Sequence, residues 1–217
     1  MAKHPYWPLF GLRVQTPRVE LRYPDDDDLV AVAGLAAQGI HDPDTMPFNV
    51  PWTRAESPEL ERNMVQFAWK TRGELSPESW RLALLVCEDG RPVGVQDLAA
   101  EHFAVTRAVE TGSWLVRHAQ GRGVGTEMRA AVLHLAFEGL GAVEAYSGSF
   151  EDNPTSAAVS CANGYESNGS EIRDREGTPV RMLKWVITRD RWLERRRNDI
   201  VIEGLDDCLA LLGAEVR

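Results

Sequence analysis

The run Gln120-Gly121-Arg122-Gly123-Val124-Gly125 places three glycines within five positions, between an apolar segment (Trp114, Leu115, Val116) and a segment of helical periodicity. Glycine lacks the Cβ that would hold a ligand off the backbone, and it admits the positive φ values that turn successive N–H groups toward one point. A helix starting just beyond the loop adds its unpaired first-turn amides and the positive end of its dipole. The chemistry this pattern suits is anion binding. No Lys-Ser/Thr closes the loop as a P-loop requires, and the glycines are spaced G-x-G-x-G instead of the dinucleotide G-x-G-x-x-G. A diphosphate of another kind remains.

With the residues in view, the segment Gln120-x-x-Gly123-x-Gly125 resembles the cofactor loop of the GNAT acyl-CoA N-acyltransferases. The resemblance extends to the RimJ/RimL branch through Thr16-Pro-Arg-Val-Glu-Leu-Arg22, Gly123-x-Gly-Thr-Glu127, Asn153-Pro-Thr-Ser156 and Asn163-Gly-Tyr165. It spans roughly residues 11 to 192, and residues 193 to 217 stand as a C-terminal extension beyond a domain of residues 1 to 192. The resemblance implies an α+β fold: a mixed, mainly antiparallel sheet flanked by helices and splayed open where acyl-CoA enters. It also implies that Leu115 and Val116 offer backbone pairing to the pantetheine arm, a ligand taking the place of a strand. Gln120, Gly121, Arg122, Gly123, Val124, Gly125 and Thr126 would then cradle the diphosphate, with Asn153 and Ser156 on the cofactor side of the next helix.

The implied reaction is attack of an amine on a thioester carbonyl. The nitrogen must be unprotonated, and the departing thiolate must be stabilised or protonated. An amine with a pKa well above 7 needs a base or a desolvating pocket. Glu110, just before the loop strand, is the tentative base, with Asp97 and Glu101 on the preceding hairpin as competitors by location. For the proton donor, many family members carry a tyrosine seven residues after the asparagine, where this chain has Ser160. RimL-like members instead use a serine three residues after it, which is Ser156 here, so Ser156 is the candidate general acid and Tyr146 or Ser160 the fallback. His118 either meets a phosphate or faces water. The donor expected from the resemblance is acetyl-CoA, although an acidic acyl chain such as succinyl would need only a different pocket wall. The acceptor is an amine of a protein N-terminus, a lysine or a small molecule. A catalytically silent CoA-binding module is the rival reading, sustained by Ser160 and by the lack of one obvious base.

Bulk properties constrain the rest. A chain of 217 residues can bury a sizeable single core. The net charge of -9 argues against coating nucleic acid or anionic lipid. Cys87, Cys161 and Cys208 are far apart and form no C-x-x-C pair, so neither a disulfide framework nor a zinc site is indicated and a reducing cytoplasm is expected. No stretch approaches about 18 consecutive apolar residues, and the N-terminus lacks an export signal, so no membrane partner is expected.

The elements that must position the loop follow from periodicity. Arg18 to Tyr23 alternates like a strand, and Asp25 to Asp28 suit the first turn of a helix rather than a metal. The segment from His41 to Trp52 has prolines at 43, 47 and 51 and so is no helix, yet it carries Met46, Phe48, Val50 and Trp52, the composition of a loop that covers something. It is either a lid over the acceptor pocket or a satellite hydrophobic cluster; His41 with Asp42 and Asp44 has too few ligands for a metal. A helix is expected over Glu59 to Lys70, strands over Trp80 to Cys87, Val93 to Leu98 and Ala108 to Val116, and a helix with Met128, Ala131, Val132, Leu135 and Ala136 on one face. A strand over Ala142 to Tyr146, a helix capped by Asn153 and stopped near Gly164, and a strand over Val180 to Thr188 complete the domain. Arg195-Arg-Arg197 is a solvated surface or a site for the adenosine 3′-phosphate. Leu205, Leu209 and Leu212 recur at helical spacing, which predicts a short helix that packs on the same domain or on a second subunit, the latter making a homo-oligomer.

Overall fold

This computed structural model describes residues 4–215. In chain order the elements are β1 (Arg13–Gln15), β2 (Val19–Arg22), α1 (Asp26–Ala37), α2 (Glu59–Gly73), β3 (Ser79–Glu88), β4 (Arg91–Glu101), the single turn α3 (Phe103–Thr106), β5 (Ala108–Leu115), α4 (Val124–His134), β6 (Glu144–Phe150), α5 (Pro154–Ala162), β7 (Glu166–Arg175), β8 (Thr178–Thr188), α6 (Arg189–Leu193) and β9 (Val201–Glu203). They form one nine-stranded sheet in the order β7-β8-β6-β5-β4-β3-β2-β1-β9. Every neighbouring pair is antiparallel except β5 and β6.

Local chemistry accounts for most of these pieces. Asp89 and Gly90 join β3 to β4 with φ of 51° and 74°, the backbone that a two-residue hairpin requires. Asp25 caps α1 by accepting from the Asp28 amide at 2.9 Å, and the Asp28 carboxylate pairs with Arg22, so the aspartate run is absorbed in building a helix start. Alternation along β3 and β4 sends Leu82, Leu84, Leu98 and Ala100 to the face covered by α4, while Leu85, Cys87 and Val95 share a cluster with Val32 of α1 and Met64 of α2 on the other. The five periodic residues Met128, Ala131, Val132, Leu135 and Ala136 are all buried, and α4 begins four residues before the first of them.

The parallel pair matters most for the site. β5 and β6 are in register only from Ala108↔Glu144 to Thr111↔Ser147, whereas β5 runs on to Leu115 beside β4 and β6 runs on to Phe150 beside β8. The two strands therefore part beyond Thr111, and α4, the crossover between them, starts at the mouth of the gap.

The C-terminal segment departs from its expected form. Leu205 to Leu212 contains two short 3₁₀ turns (Asp206–Cys208 and Ala210–Leu212) instead of an α-helix. Bracketed by Gly204 and Gly213, both at positive φ, the segment is too short to nucleate a helix against the docking contacts it makes. β9 adds to the sheet edge beside β1, and the backbone at Gly204 passes so close to Gly11 that a Cβ would lie 2.3 Å from its carbonyl oxygen. Cys208 and Leu212 are fully buried, Leu205 and Leu209 lie against the same core, and the Trp80 indole donates to the Leu212 carbonyl at 2.9 Å. Burial of such side chains contributes about 1.5–3 kcal/mol each. The leucines that motivated a homo-oligomer are satisfied within the chain, which removes the reason for expecting one from this segment.

Candidate active site

The glycine loop takes the form that its residue types require. Gly121 and Gly123 have φ of 70° and 84°, and Gly123 occupies the cap position of α4 without any side chain to close it. The amides of Val124, Gly125 and Thr126 are thus the unpaired first turn of a helix, the first intrahelical donor being Glu127, which reaches the Gly123 carbonyl at 3.0 Å. Gly125 is small for packing: a Cβ there would stand 3.4 Å from Val159 and 3.7 Å from Leu115. A cation that sequence reasoning did not place at the site lies over this loop. The Arg18 guanidinium donates to the Arg122 carbonyl at 3.2 Å and lies 3.5 Å from where a Gly123 Cβ would be. Arg18 and Arg122 share Glu88, at 3.1 and 3.2 Å, so one carboxylate holds two guanidinium groups beside the loop. The only signal of Arg18 in sequence is its place at the start of the alternating run from Arg18 to Tyr23, just before β2, which says nothing of the partner.

The proposed loop ligands divide by role. The Gln120 side chain does not face an anion: it donates to the carbonyls of Ile40 and Leu115 at 2.7 and 2.8 Å, tying the end of β5 to the segment after α1. The Val116 amide donates to the Val93 carbonyl at 2.9 Å and is therefore engaged by β4. In an antiparallel ladder successive residues alternate between the two neighbours, so if Val116 faces β4, the amides of Leu115 and Ser113 face the gap. The amides left facing the gap are those of Leu115 and Ser113, whereas the Val116 amide is already taken by Val93. His118 is exposed beside the loop.

Across the gap, Asn153 caps α5 by accepting from the Ser156 amide at 3.1 Å, with Pro154 at the first helical position. The Ser156 hydroxyl is half-buried and has no hydrogen-bond partner among the described residues, so the local back-bond that competes for such a serine is not made. Ser160 is 1 % exposed, and its hydroxyl also lacks a partner among the described residues. Asn163 ties α5 to the first turn of α4 through the Thr126 carbonyl at 3.2 Å.

On the face toward α1 and α2, three strands align carboxylates. Asp97 stands opposite Gly112 on β5, Glu110 is two pairs along and so on the same face, and Glu110 is opposite Tyr146 on β6. Glu110 is exposed. Asp97 keeps 27 % of its side chain exposed; burial, assisted by the charge of Glu110, pushes its carboxyl up to about 6, while Arg81 at 3.4 Å pulls the other way. The Tyr146 hydroxyl donates to Glu144, which raises its pKa, and Glu101 accepts from Ser79 at 2.8 Å at the far end of β4. The structure therefore brings Asp97 and Glu110 together and leaves Glu101 apart.

The proline-rich loop covers this face. Phe48 lies 5.2 Å from Trp52, and Trp52 lies 5.9 Å from Trp114 of β5, two residues beyond Gly112. Both His41 ring nitrogens are engaged within the loop, by the Asp42 carbonyl and the Thr53 hydroxyl. The β7–β8 hairpin clasps it: Arg54 pairs with Glu176 at 2.9 Å, and Arg175 holds Asp152 and donates to the Met46 carbonyl at 3.1 Å. On the opposite side of the sheet, α4, α5, α6 and the tail enclose a groove of about 520 Å³, lined by Gly123, Thr126, Asn163, Trp192, Arg195 and Arg197 among others. Arg197 is paired with Asp199 at 2.8 Å.

A family model described as an acetyltransferase (GNAT) domain matches residues 18–166. Among solved structures, the chain is similar to a putative ribosomal-protein-serine acetyltransferase from Vibrio cholerae (TM-score 0.62, 18 % identity, covering 81 % of this chain and 97 % of that one). It is also similar to RimL, a ribosomal alpha-N-protein acetyltransferase solved with coenzyme A (TM-score 0.60, 18 % identity, 80 % and 95 % covered). A third is a spermidine N-acetyltransferase SpeG chimera from Vibrio cholerae and hSSAT (TM-score 0.65, 17 % identity, 82 % and 99 % covered). At these identities the structural likenesses establish the fold.

Proposed function

The chain belongs to the GNAT acetyltransferase family, and from that premise we propose that it transfers an acyl group directly from acyl-CoA to an amine, with Asp97 as base and Ser156 as proton donor. The observation that carries this reading is one juxtaposition. An open helix start and a gap between β5 and β6 lie on one side of the sheet, and a half-buried carboxyl whose proton is held near neutrality lies on the other. A donor whose diphosphate meets the amides of Val124, Gly125 and Thr126 directs its thioester along Leu115 and Ser113 into that gap. Acetyl-CoA is the donor that the family as a whole implies.

Asp97 suits the base role better than Glu110. Ionised at pH 7 yet more basic than an ordinary carboxylate, it takes a proton from an incoming ammonium more readily, and proton transfer is most efficient when the pKa lies near the working pH. Glu110 raises Asp97 by its charge and attracts a cationic acceptor. The aromatic loop over Trp114 excludes water from that side, and the acceptor is an amine of a protein, peptide or small molecule. The groove bearing Arg195 and Arg197 suits the adenosine 3′-phosphate end of CoA.

The reaction forms an N–C bond and breaks the C–S bond: the amine's proton passes to Asp97, and the thiolate leaves with the Ser156 hydroxyl proton, which solvent replaces. Ser156→Ala should lower turnover by about 10²-fold, the low end for general acid help because a thiol of pKa about 8.5 is already a fair leaving group. Affinity for CoA should change little. Steady-state rates alongside calorimetry check this: unchanged turnover removes Ser156 from the mechanism, a loss confined to affinity makes it a binding residue only, and absence of turnover in the unmutated chain favours a silent CoA-binding module.

A further inference from the structure

Arg129 of α4 is 3 % exposed and points into the sheet where β5 and β6 separate. Its guanidinium donates to the Thr111 hydroxyl at 3.1 Å and the Ser147 hydroxyl at 3.0 Å, which lie opposite each other in the last pair before the gap. It also donates to the Ser113 hydroxyl at 3.2 Å, the first outward step of β5 into the gap, and more weakly to Gln96 at 3.5 Å. The Tyr165 ring, 5.9 Å away, covers its face. All of these partners are neutral. Arginine stays charged, and a buried charge is tolerated at low cost only when it is paired with an opposite one. Among the described residues no carboxylate pairs with Arg129.

The surroundings sharpen the point. Ser147 and Ser149 of β6 are buried on the same face as Arg129, Ser149 accepting from the Trp185 indole at 3.0 Å. The wall of the gap is thus hydroxyl-lined and cationic, whereas the methyl group of an acetyl donor would bury best in an apolar wall. The four contacts occupy four of the five guanidinium N–H donors, leaving one on Nη2, beside Ser113. Ser113 is half-buried, so this corner is the one through which a ligand reaches the group. Ser113 and Ser147, accepting from Arg129, each keep a hydroxyl hydrogen to donate.

We infer that Arg129, Ser113 and Ser147 form the recognition site for a carboxylate at the far end of the donor's acyl chain, so that the preferred donor is the CoA monothioester of a dicarboxylic acid, succinyl being the chemical type. The inference rests on the donor reading above and specifies its acyl group. The distal carboxylate is a spectator: the N–C bond forms and the C–S bond breaks as for any acyl group, and the ion pair positions the thioester. Acetyl-CoA binds the same loop without the counter-ion.

The test is calorimetry on the full chain with CoA, butyryl-CoA and succinyl-CoA, the last two sharing a four-carbon acyl chain. A charge-assisted contact predicts succinyl-CoA tighter than butyryl-CoA by roughly 10- to 100-fold. Equal affinities, or a preference for butyryl-CoA, overturn the inference while leaving the donor class standing; no binding of any of the three overturns both. Arg129→Met should bring the ratio toward one. Because that variant alters a buried hub, Ser113→Ala, which keeps the guanidinium, serves as the second: its ratio should fall several-fold. An unchanged ratio in folded forms of these variants also contradicts the inference.

Discussion

Replacing Gly123 with valine is expected to reduce affinity for CoA by at least about 100-fold while leaving the chain folded. Two effects act together at this position. The residue sits at φ 84°, which a β-branched side chain adopts at a cost of about 1–2 kcal/mol, and its side chain would stand beside Arg18 over the open amides of α4. The first effect weakens stability, and only the second bears on the anion. Gly169, at φ 82° on the exposed β7 with no atom near its would-be Cβ, provides the control. Gly169→Val should show a comparable stability loss with affinity unchanged. Calorimetry on both variants, with circular dichroism to verify folding, separates strain from intrusion; undiminished affinity in folded Gly123→Val would place the diphosphate elsewhere.

Asp97→Asn is expected to lower turnover by about 10²–10⁴-fold, the span of general base catalysis, and to make the protein more stable at neutral pH. The sign of the stability change follows from burial. The Asp97 carboxyl is raised from 3.8 to about 6, so the folded state favours its neutral form. Stability from this group is fully present below its ordinary pKa and is lost as pH rises through about 6. Asparagine keeps a neutral group there at every pH. The variant should gain on the order of 1–2 kcal/mol at pH 7 to 8, allowing for solvent at the partly exposed carboxyl, and almost nothing near pH 4. Rate–pH profiles should place an acidic limb near 6 in the wild type and lack it in the variant. Thermal unfolding at both pH values checks the other half. If Asp97 served only to pair with Arg81, the variant would lose stability at pH 7 and turn over almost normally.

Much of this site was legible because it depends on residue types with few alternatives. Three alternating glycines before an amphipathic run implied an open helix start, and Asn153-Pro154 implied another. Periodicity located β3, β4, β5 and α4, since each buries one face. What escaped was set by partners distant in sequence. β7 is exposed along nearly its whole length and so carries no alternating apolar signal, yet its hairpin clasps the loop over the acceptor face. Arg18 reads as a strand residue until β2 and β3 bring Glu88 beside Arg122. Asp97 and Glu110 could not be ranked, because the difference between them is burial and each looks alike in a strand. Gln120 fits the loop motif, but its side chain braces carbonyls of Ile40 and Leu115. Leu205, Leu209 and Leu212 have helical spacing, but docking beneath Trp80 and beside Gly139 fixed 3₁₀ turns there. Arg129 lies among residues whose spacing announces a helix; that its partners are all hydroxyls or an amide emerges only from the pairing of β5 with β6.

Everything proposed for this site depends on acyl groups passing from CoA to an amine on this chain. The most direct measurement follows free thiol release and acceptor mass together, using the wild-type protein with acetyl-CoA and succinyl-CoA and a panel of amines: peptide N-termini, lysine peptides and small polyamines. One donor and acceptor pair is expected to give one equivalent of CoA thiol for each N-acylated product, with the rate falling below about pH 6 as Asp97 becomes protonated. Tight binding of CoA thioesters with no amine-dependent thiol release across the panel would contradict it.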